Sequence, residues 1–196
     1  MPDSPQPRRR MMVHGLTPAR KASVTSSAPS SNRPTASFLI GHGYDIHRLE
    51  KREEGKLVLA GVIVSDEIAP IAHSDGDVVY HALCDAMLGA LGQGDIGEAF
   101  PDSDTQWKDA PSHIFVQDVF NRARRAGYRV SNVDVTLMLE RPKIAPLKQQ
   151  MIANVRQLLE PVAIVNLKAG TNEGCDAVGR GEAVAAHVVV LLARDA

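Results

Sequence analysis

The stretch Ser74-Asp-Gly-Asp77, followed by Val78-Val-Tyr-His-Ala-Leu-Cys-Asp-Ala-Met-Leu-Gly-Ala90, decides the fold. Ser74 and Asp77 are spaced as in a capping box, which predicts a helix N-terminus. Apolar residues then recur every three or four positions, as in an amphipathic helix. The face expected to be buried consists of Val79, Ala82, Leu83, Ala86, Met87 and Ala90. Gly92 and Gly94 are expected to end the helix, and His81 to lie on its exposed side.

Strands and two further helices are predicted on either side of this helix. Phe38-Leu-Ile-Gly-His-Gly-Tyr-Asp-Ile-His47 is expected to form a strand, with residues 57–64 as its partner. Later elements are a helix over about 112–127 with Gly127 as its C-cap, a strand over 130–139, a helix starting at Pro146, and strands over 163–169 and 183–193. This order predicts an α+β fold, a two-layer sandwich of a mixed β-sheet with helices on one face.

Composition indicates a globular protein of one domain. The chain has 196 residues, of which 44% are hydrophobic and 23% charged, an ordinary balance for a globular protein. The longest apolar run, residues 188–193, is too short to span a bilayer, so no membrane association is expected. Cys84 and Cys175 make no disulfide framework, which favours a reducing compartment. The net charge of −1 gives no reason to expect a nucleic-acid partner.

Residues 1–37 differ in composition from the rest of the chain. They are rich in Ser, Pro and Arg and contain six basic residues but one acidic residue, Asp3. We expect a disordered tail followed by a folded domain over residues 38–196. The tail is either an organelle transit peptide, which would indicate a plastid, or an overlong start on a bacterial gene. Met11 and Met12 slightly favour the second, which would indicate a cytoplasmic protein.

Asp45, His47 and His81 form a candidate metal site. Residues two apart on a strand project to the same face, so the Asp45 carboxylate and the His47 imidazole should converge. Zinc accepts this ligand set, and His81 as a third ligand would leave one position for a substrate. Two alternatives stay open. The Asp-x-His pair is also typical of a surface ion pair, and His81 alone is also typical of a half-buried packing residue.

Three further segments are candidates for binding anions, hydroxyls or cations. Residues 72–77 precede a helix N-terminus, where backbone amides attract phosphate, with His73 as an extra donor. A plain helix cap explains the same residues. The Asp-rich segment over 95–104 could bind calcium or hydroxyls, although Asx-turns are the favoured interpretation. Near the C-terminus, Glu173 could hold a hard cation such as magnesium, and Arg180 could face a phosphate.

Taken together, the motifs resemble one enzyme family. Seven motifs carry the resemblance: Gly-His-Gly-Tyr-Asp45-Ile-His47, Ala-His73-Ser74-Asp75-Gly76-Asp77-Val, His81, Asp95-Ile-Gly97, Phe-Pro-Asp102-Ser-Asp104, Arg-Pro142-Lys143 and Gly-Arg180-Gly-Glu182. In this order and spacing the chain resembles the 2-C-methyl-D-erythritol 2,4-cyclodiphosphate synthases over residues 38–196. The resemblance implies a phosphorus–oxygen lyase of the non-mevalonate isoprenoid pathway. The reaction that the resemblance implies is the cyclisation of 4-diphosphocytidyl-2-C-methyl-D-erythritol 2-phosphate with release of CMP.

The resemblance also implies roles for individual residues. Asp45, His47 and His81 would bind zinc, and Glu173 a magnesium or manganese ion that bridges the substrate phosphates. His73 and Thr171 would stabilise the transition state. The segment 95–104 would hold the erythritol group and residues 139–145 the cytidine. The residues implied for substrate binding are Asp45, His47, His73, Ser74, Asp95, Ile96, Gly97, Phe100, Pro101, Asp102, Ser103, Asp104, Pro142, Lys143, Gly170, Thr171, Asn172, Glu173 and Arg180.

The resemblance also implies a homotrimer with active sites at its subunit interfaces. An independent reason to expect shared sites is that the 159 residues of the predicted domain are few to enclose so long a substrate. One loop departs from the family pattern. Residues 174–178 read Gly-Cys-Asp-Ala-Val, where bacterial members commonly have Lys-Leu-Gly-Phe-Thr, and Gly170 stands where a threonine is expected. Asp176 is closer to the plant pattern. Two other functions stay open: a metal phosphohydrolase acting on another nucleotide, and a non-catalytic trimer with a structural zinc.

Overall fold

The computed structural model describes residues 36–72, 74–101, 103–107, 110–161 and 163–195. Nearly all of the predicted tail, together with His73 and Asp102, lies outside the described residues. The strands are β1 (Phe38–Lys51), β2 (Leu57–Leu59), β3 (Val62–Ser65), β4 (Ile68–Pro70), β5 (Tyr128–Met138), β6 (Ile164–Gly170) and β7 (Ala183–Arg194). The helices are α1 (Val78–Leu91), α2 (Ile96–Ala99), α3 (Ser112–Arg125) and α4 (Lys148–Leu158), with short 3₁₀ turns at Thr105–Trp107 and Ala145–Leu147.

Five strands form one mixed sheet in the order β4-β1-β7-β5-β6. The β5–β6 pair is parallel, and the other neighbouring pairs are antiparallel. The α-helices pack against this sheet around a core of buried aliphatic side chains. The predicted α+β sandwich with a mixed sheet is therefore confirmed. Among the described residues, no helix is long and apolar enough to cross a membrane.

Two glycines bring β1 and α1 unusually close together. A Cβ atom at Gly41 would lie 1.7 Å from the carbonyl oxygen of Ala86, and one at Gly43 would lie 1.9 Å from that of Ala82. Any larger residue at these positions would collide with the helix backbone. Because side chains alternate along a strand, Asp45 and His47 share the helix-facing side of β1 with the two glycines. The glycines thus set the distance between this strand and the helix that carries His81.

The prediction for residues 57–64 is wrong. They do not pair with β1 but fold back on themselves as the β2–β3 hairpin, a separate two-stranded sheet. The turn residues Ala60 and Gly61 both have positive φ angles, 48° and 70°, as a tight two-residue hairpin turn requires. β1 pairs instead with β7 and with the short β4, which was not predicted.

The helix that decides the fold starts differently from a capping box. Asp77, not Ser74, is the N-cap of α1, and its side chain accepts from the backbone N–H groups of Val79 and Tyr80. Gly92 ends the helix in the left-handed conformation, as predicted. Val78, Tyr80, Cys84 and Leu88 are buried together with all of the predicted face except Ala90, which is half-buried, so most of α1 is internal.

The other helices keep their predicted positions with small changes at their ends. α3 ends at Arg125 with Ala126, not Gly127, as its C-cap, and Gly127 follows with a φ of 81°. Pro146 lies in a 3₁₀ turn, and α4 starts just after it, at Lys148. The short helix α2 lies in a segment that the sequence indicated as turns.

Candidate metal centre

Asp45 and His47 on β1 meet His81 on α1. Oδ2 of Asp45 lies 3.0 Å from Nδ1 of His81 and 3.3 Å from Nε2 of His47. One ligand atom from each of the three side chains lies within 4.8 Å of the others. A carboxylate and two imidazoles at these separations could bind a metal ion, and they are a donor set suited to zinc.

One unsatisfied atom in this group also fits a cation. Nε2 of His47 is buried and makes no hydrogen bond within the described part of the chain, although it faces Asp45. Buried polar atoms in folded proteins are nearly always paired, so an orphaned ring nitrogen beside a carboxylate calls for a missing partner. A metal ion bound by Asp45 and His47 would give this nitrogen the partner that it lacks.

The protonation states of the metal-free group suit metal binding at two of the three positions. Burial tends to raise the pKa of Asp45, but the hydrogen bond with His81 and the charge of His47 leave that pKa below its ordinary value. Burial, opposed by Asp45, lowers the pKa of His47. Burial also tends to lower the pKa of His81, but the hydrogen bond and the negative charge of Asp45 outweigh burial and raise that pKa. Asp45 is thus an anion and His47 a neutral imidazole, as metal ligands must be.

His81 is more enclosed than the sequence indicated. Its side chain is 13% exposed, so the prediction that it lies on an exposed side of α1 is wrong. Two hydroxyl groups contact its second ring nitrogen: Oγ of Ser112 lies 2.8 Å from Nε2, and Oγ of Ser74 lies 3.2 Å from it. The packing of α3 over the N-terminal end of α1 causes this enclosure, which helical periodicity alone does not reveal.

Sequence reasoning missed Ser112, the first residue of α3. Its side chain is fully buried, and it contacts His81, which in turn contacts Asp45. This order resembles a Ser-His-Asp nucleophile site. However, the hydroxyl of Ser112 donates to Asp75, and the residue is fully buried. No signal in the sequence links Ser112 to a site 31 residues away, because only the fold brings them together.

The N-terminus of α1 is largely occupied by its own cap. Asp77 accepts hydrogen bonds from four backbone N–H groups, those of Ala60, Gly61, Val79 and Tyr80. The N–H of Gly76 donates to Ser74. Since these amides already have partners, the hydrogen bonds favour the helix-cap interpretation over a free anion site. The hydroxyl of Ser74 still faces the metal ligands through His81.

The segment 95–104 combines a helix cap, a turn and an aromatic contact. Asp95 caps α2 through the N–H of Glu98, and Asp85 accepts from the N–H of Ile96. Asp104 accepts from the N–H of Gln106, an Asx-turn. Phe100 is buried against Trp107 and Phe115. These contacts support the turn interpretation and leave Gly97, Pro101 and Ser103 exposed at the surface.

A cavity of about 220 Å³ lies at the C-terminal ends of β5 and β6. Its lining combines residues 139–148 with residues 169–171, which are distant from each other in the sequence. The lining residues are Leu139, Pro142, Lys143, Ile144, Ala145, Lys148, Ala169, Gly170 and Thr171. Lys148 was not predicted there, and its place follows from the turn at Ala145–Leu147, which leads from the 139–145 segment into α4.

The C-terminal loop holds the remaining candidates, and its polar groups are paired within the loop. Thr171 donates to the carboxylate of Glu173, and the amide of Asn172 donates to Asp176. Asp176 also accepts from the N–H of Gly179. The guanidinium of Arg180 is exposed and forms an ion pair with Glu182 at 2.9 Å. The atypical residues 174–178 therefore keep a defined turn, in which Asp176 is the main acceptor.

Comparisons with known proteins agree with this architecture. The chain is 46% identical over 172 residues to the chloroplastic 2-C-methyl-D-erythritol 2,4-cyclodiphosphate synthase of Arabidopsis thaliana, which covers 87% of this chain and 72% of that protein. The Plasmodium falciparum IspF, solved as a CDP complex, matches with a TM-score of 0.70 and 31% identity, over 82% of this chain and 98% of that one.

A bacterial protein with a second activity is also similar. The bifunctional IspDF of Campylobacter jejuni matches with a TM-score of 0.76 and 36% identity, over 83% of this chain. This chain spans only 44% of that bifunctional protein. The model of the YgbB family matches residues 38–193, from the first strand to the last. On the extent of this match and the identity with its relatives, the chain belongs to the YgbB family.

Proposed function

We propose that the chain catalyses the metal-dependent cyclisation of 4-diphosphocytidyl-2-C-methyl-D-erythritol 2-phosphate to 2-C-methyl-D-erythritol 2,4-cyclodiphosphate, with release of CMP. The observation that carries this proposal is the convergence of Asp45, His47 and His81 on one point. The name of the Arabidopsis relative supports the product. The activity belongs to the non-mevalonate route to isoprenoid precursors, and in chemical terms it is that of a phosphorus–oxygen lyase.

Asp45, His47 and His81 are the proposed zinc ligands. The orphaned Nε2 of His47 and the anionic state of Asp45 support this assignment. Three protein ligands leave a coordination position for a substrate oxygen, as in catalytic zinc sites. A bound divalent ion would supply positive charge to the phosphate oxygens on which charge builds during the reaction. Glu173 is the proposed ligand of a magnesium or manganese ion, which would offset negative charge on the substrate's diphosphate. The exposed carboxylate of Glu173 can turn from Thr171 to meet that ion.

The remaining assignments divide the substrate into three parts. The cavity at the ends of β5 and β6 is proposed for the cytidine, because Pro142 and Lys143 line it and a CDP complex is known for the similar Plasmodium protein. The segment 95–104 is proposed for the erythritol group. The residues proposed to face the phosphates are His73, Ser74, Gly170, Thr171, Asn172 and Arg180, with His73 and Thr171 stabilising the transition state.

The reaction asks little of the protein beyond positioning and charge. The attacking 2-phosphate is already anionic and is tethered to the phosphorus that it attacks, so no general base is needed. The P–O bond to the CMP leaving group breaks as the bond to the 2-phosphate oxygen forms. Ser112 cannot take the part of a nucleophile because it is buried behind His81. What the chain must do is fold the substrate and hold fixed donors against its oxygens.

A homotrimer with active sites between subunits is part of the proposal. The sheet face turned away from α1 exposes apolar side chains, including Phe38 (62%) and Ile40 (73%) on β1 and Ile164 on β6. Apolar groups so exposed on one face of a sheet are typical of a surface that another subunit covers. A second copy of this chain is the natural occupant, since a trimer would also complete a substrate site that one subunit leaves open.

The cellular compartment of the protein depends on the nature of residues 1–37. The Arabidopsis relative is described as chloroplastic, and the Campylobacter relative is bacterial. A plastid location is proposed if residues 1–37 are a transit peptide, and a cytoplasmic one if they are not. The composition of the tail, with six basic residues and one acidic residue, fits a transit peptide.

The direct test is incubation of the purified protein with the diphosphocytidyl substrate and phosphorus NMR of the products. We expect CMP and a cyclic diphosphate in equal amounts. CMP together with a linear erythritol phosphate would instead show a phosphohydrolase. No turnover by metal-loaded protein would leave only a structural role for the metal group.

A further inference from the structure

Ser112 and Asp75 form a short chain of hydrogen bonds that ends on the ring of His81. The hydroxyl of Ser112 lies 2.8 Å from Nε2 of His81 and also contacts Oδ1 of Asp75. The second oxygen of Asp75 accepts the backbone N–H of Ser112 at 3.0 Å. Ser112 is fully buried. Its hydroxyl is therefore fixed from two directions, by the start of α3 and by the carboxylate of Asp75.

The direction of each hydrogen bond follows from the groups involved. An ionised carboxylate can only accept, and a serine hydroxyl has a single proton to donate. Because the hydroxyl proton of Ser112 goes to Asp75, the Ser112 oxygen is left as an acceptor towards His81. Nε2 of His81 must then be the donor. A neutral His81 held in this way carries its proton on Nε2 and an unshared electron pair on Nδ1.

That electron pair points at the candidate metal centre. Nδ1 of His81 lies 3.0 Å from Oδ2 of Asp45, so two acceptor atoms would face each other unless a cation or a second proton stands between them. Metal-binding histidines commonly donate their other ring N–H to an acceptor that fixes the ring and its tautomer. The Asp75–Ser112 pair has the chemistry and the geometry of such an acceptor.

We propose that Ser112 and Asp75 are positioning residues that hold His81 as the Nε2–H tautomer and aim its Nδ1 at the metal. This inference rests on the proposed function, since it needs a metal at Asp45, His47 and His81. Neither residue touches the metal or the substrate, and both act through His81. Ser74 also reaches Nε2, at 3.2 Å, but it accepts from Gly76 and has no carboxylate behind it. Its contribution is therefore smaller.

The test compares zinc affinities, measured by competition with a chromogenic chelator, for the wild-type protein and three variants. Ser112→Ala removes the acceptor and should weaken zinc binding about 10-fold to 100-fold. Asp75→Asn should weaken it to a similar degree, because an amide can donate to Ser112 and turn the hydroxyl proton towards His81. Ser74→Ala is the matched control and should stay within about threefold of the wild type. Melting temperatures of the metal-free proteins, taken in chelator, show that each variant is folded.

A nitrogen-15 NMR spectrum of the zinc-loaded protein provides a second measurement. The wild type should show a slowly exchanging His81 Nε2–H proton, and Ser112→Ala should lose this signal. Ser112→Thr keeps a hydroxyl group and should keep the signal. Loss of the signal in Ser112→Thr would contradict a role of the hydroxyl. Zinc binding by Ser112→Ala within about twofold of the wild type would overturn the proposal. A greater loss in Ser74→Ala than in Ser112→Ala would overturn it too. If the wild type binds no zinc at all, the metal centre itself fails, a result distinct from an unchanged Ser112→Ala.

Discussion

Gly43 on β1 lies directly against the backbone of Ala82 on α1, so closely that a Cβ atom at position 43 would stand 1.9 Å from the Ala82 carbonyl oxygen. This contact sets how near the strand that carries Asp45 and His47 comes to the helix that carries His81. The packing of one glycine therefore fixes the dimensions of the metal centre.

Gly43→Ala should destabilise the fold by at least about 3 kcal/mol, because the added methyl group collides with backbone rather than with a flexible side chain. Gly89→Ala is the matched control. Gly89 lies within α1, and a Cβ there meets nothing within 4 Å, so alanine should stabilise the helix by up to about 1 kcal/mol. Urea unfolding of both variants checks the opposite signs. Equal stabilities would show that β1 and α1 are not held at this separation.

A prediction on pH dependence concerns Asp77. Burial raises its pKa from 3.8 to about 6, even though four backbone N–H groups favour its charge. With the folded pKa above the unfolded one, the stability linked to this proton is present at low pH and is lost as the pH rises through about 6. Between pH 4.5 and pH 7.5 the wild type should lose about 2 kcal/mol relative to Asp77→Asn.

The measurement for Asp77 is the free energy of unfolding of both proteins across this range, in chelator so that metal binding does not contribute. The comparison with Asp77→Asn cancels the contributions of other titrating groups. A difference between the two proteins that stays constant with pH would mean that Asp77 keeps its ordinary pKa in the fold.

The proposed cytidine cavity can be filled from its rim. Ala145 lines the cavity of about 220 Å³ and is exposed, so Ala145→Trp should place an indole within it. We expect the KM for the diphosphocytidyl substrate to rise about 10-fold or more, which corresponds to about 1.4 kcal/mol of lost binding, with zinc affinity unchanged. Ala126→Trp, an exposed residue at the end of α3, is the control. An unaltered KM for Ala145→Trp would place the cytidine elsewhere.

Shared active sites are tested by mixing two inactive subunits. Asp45→Ala removes the metal side, and a double change at Pro142 and Lys143 removes the cytidine side. In a mixed cyclic trimer about one interface in three would join an intact metal side to an intact cytidine side. Co-expressed variants should regain a corresponding fraction of activity, while each variant alone stays inactive. Stable mixed trimers without activity would mean that each site lies within a single chain.

The sequence predicted the parts of the fold that depend on local patterns. The α1 helix follows from apolar spacing and from Gly92, and the Asp45–His47 pair follows from the two-residue period of a strand. The β2–β3 hairpin was missed because Ala60 takes a positive φ that its residue type does not announce. The role of the glycines at 41 and 43 could not be predicted from the sequence either, because it depends on their contacts with Ala86 and Ala82 in a helix later in the chain.

In the candidate site, too, local chemistry could be predicted from the sequence, but contacts that depend on the fold could not. The three candidate metal ligands could be named because carboxylate and imidazole groups have recognisable chemistry. Ser112 could not, since a serine at a helix start usually suggests a cap. It gains its meaning only from the hydrogen bonds that α3 makes with Asp75 and His81. The assignment of substrate residues came from the family resemblance rather than from spacing, and it stays a prediction.

The most direct test of the account is whether the group of Asp45, His47 and His81 binds the metal on which turnover depends. Zinc content by mass spectrometry and CMP release should be measured side by side for the wild type, His81→Ala and His113→Ala, whose histidine is exposed on α3. We predict one zinc per subunit and full turnover for the wild type and His113→Ala. His81→Ala should have little zinc, no measurable turnover and an intact fold. Full zinc occupancy or normal turnover in His81→Ala would contradict the assignment.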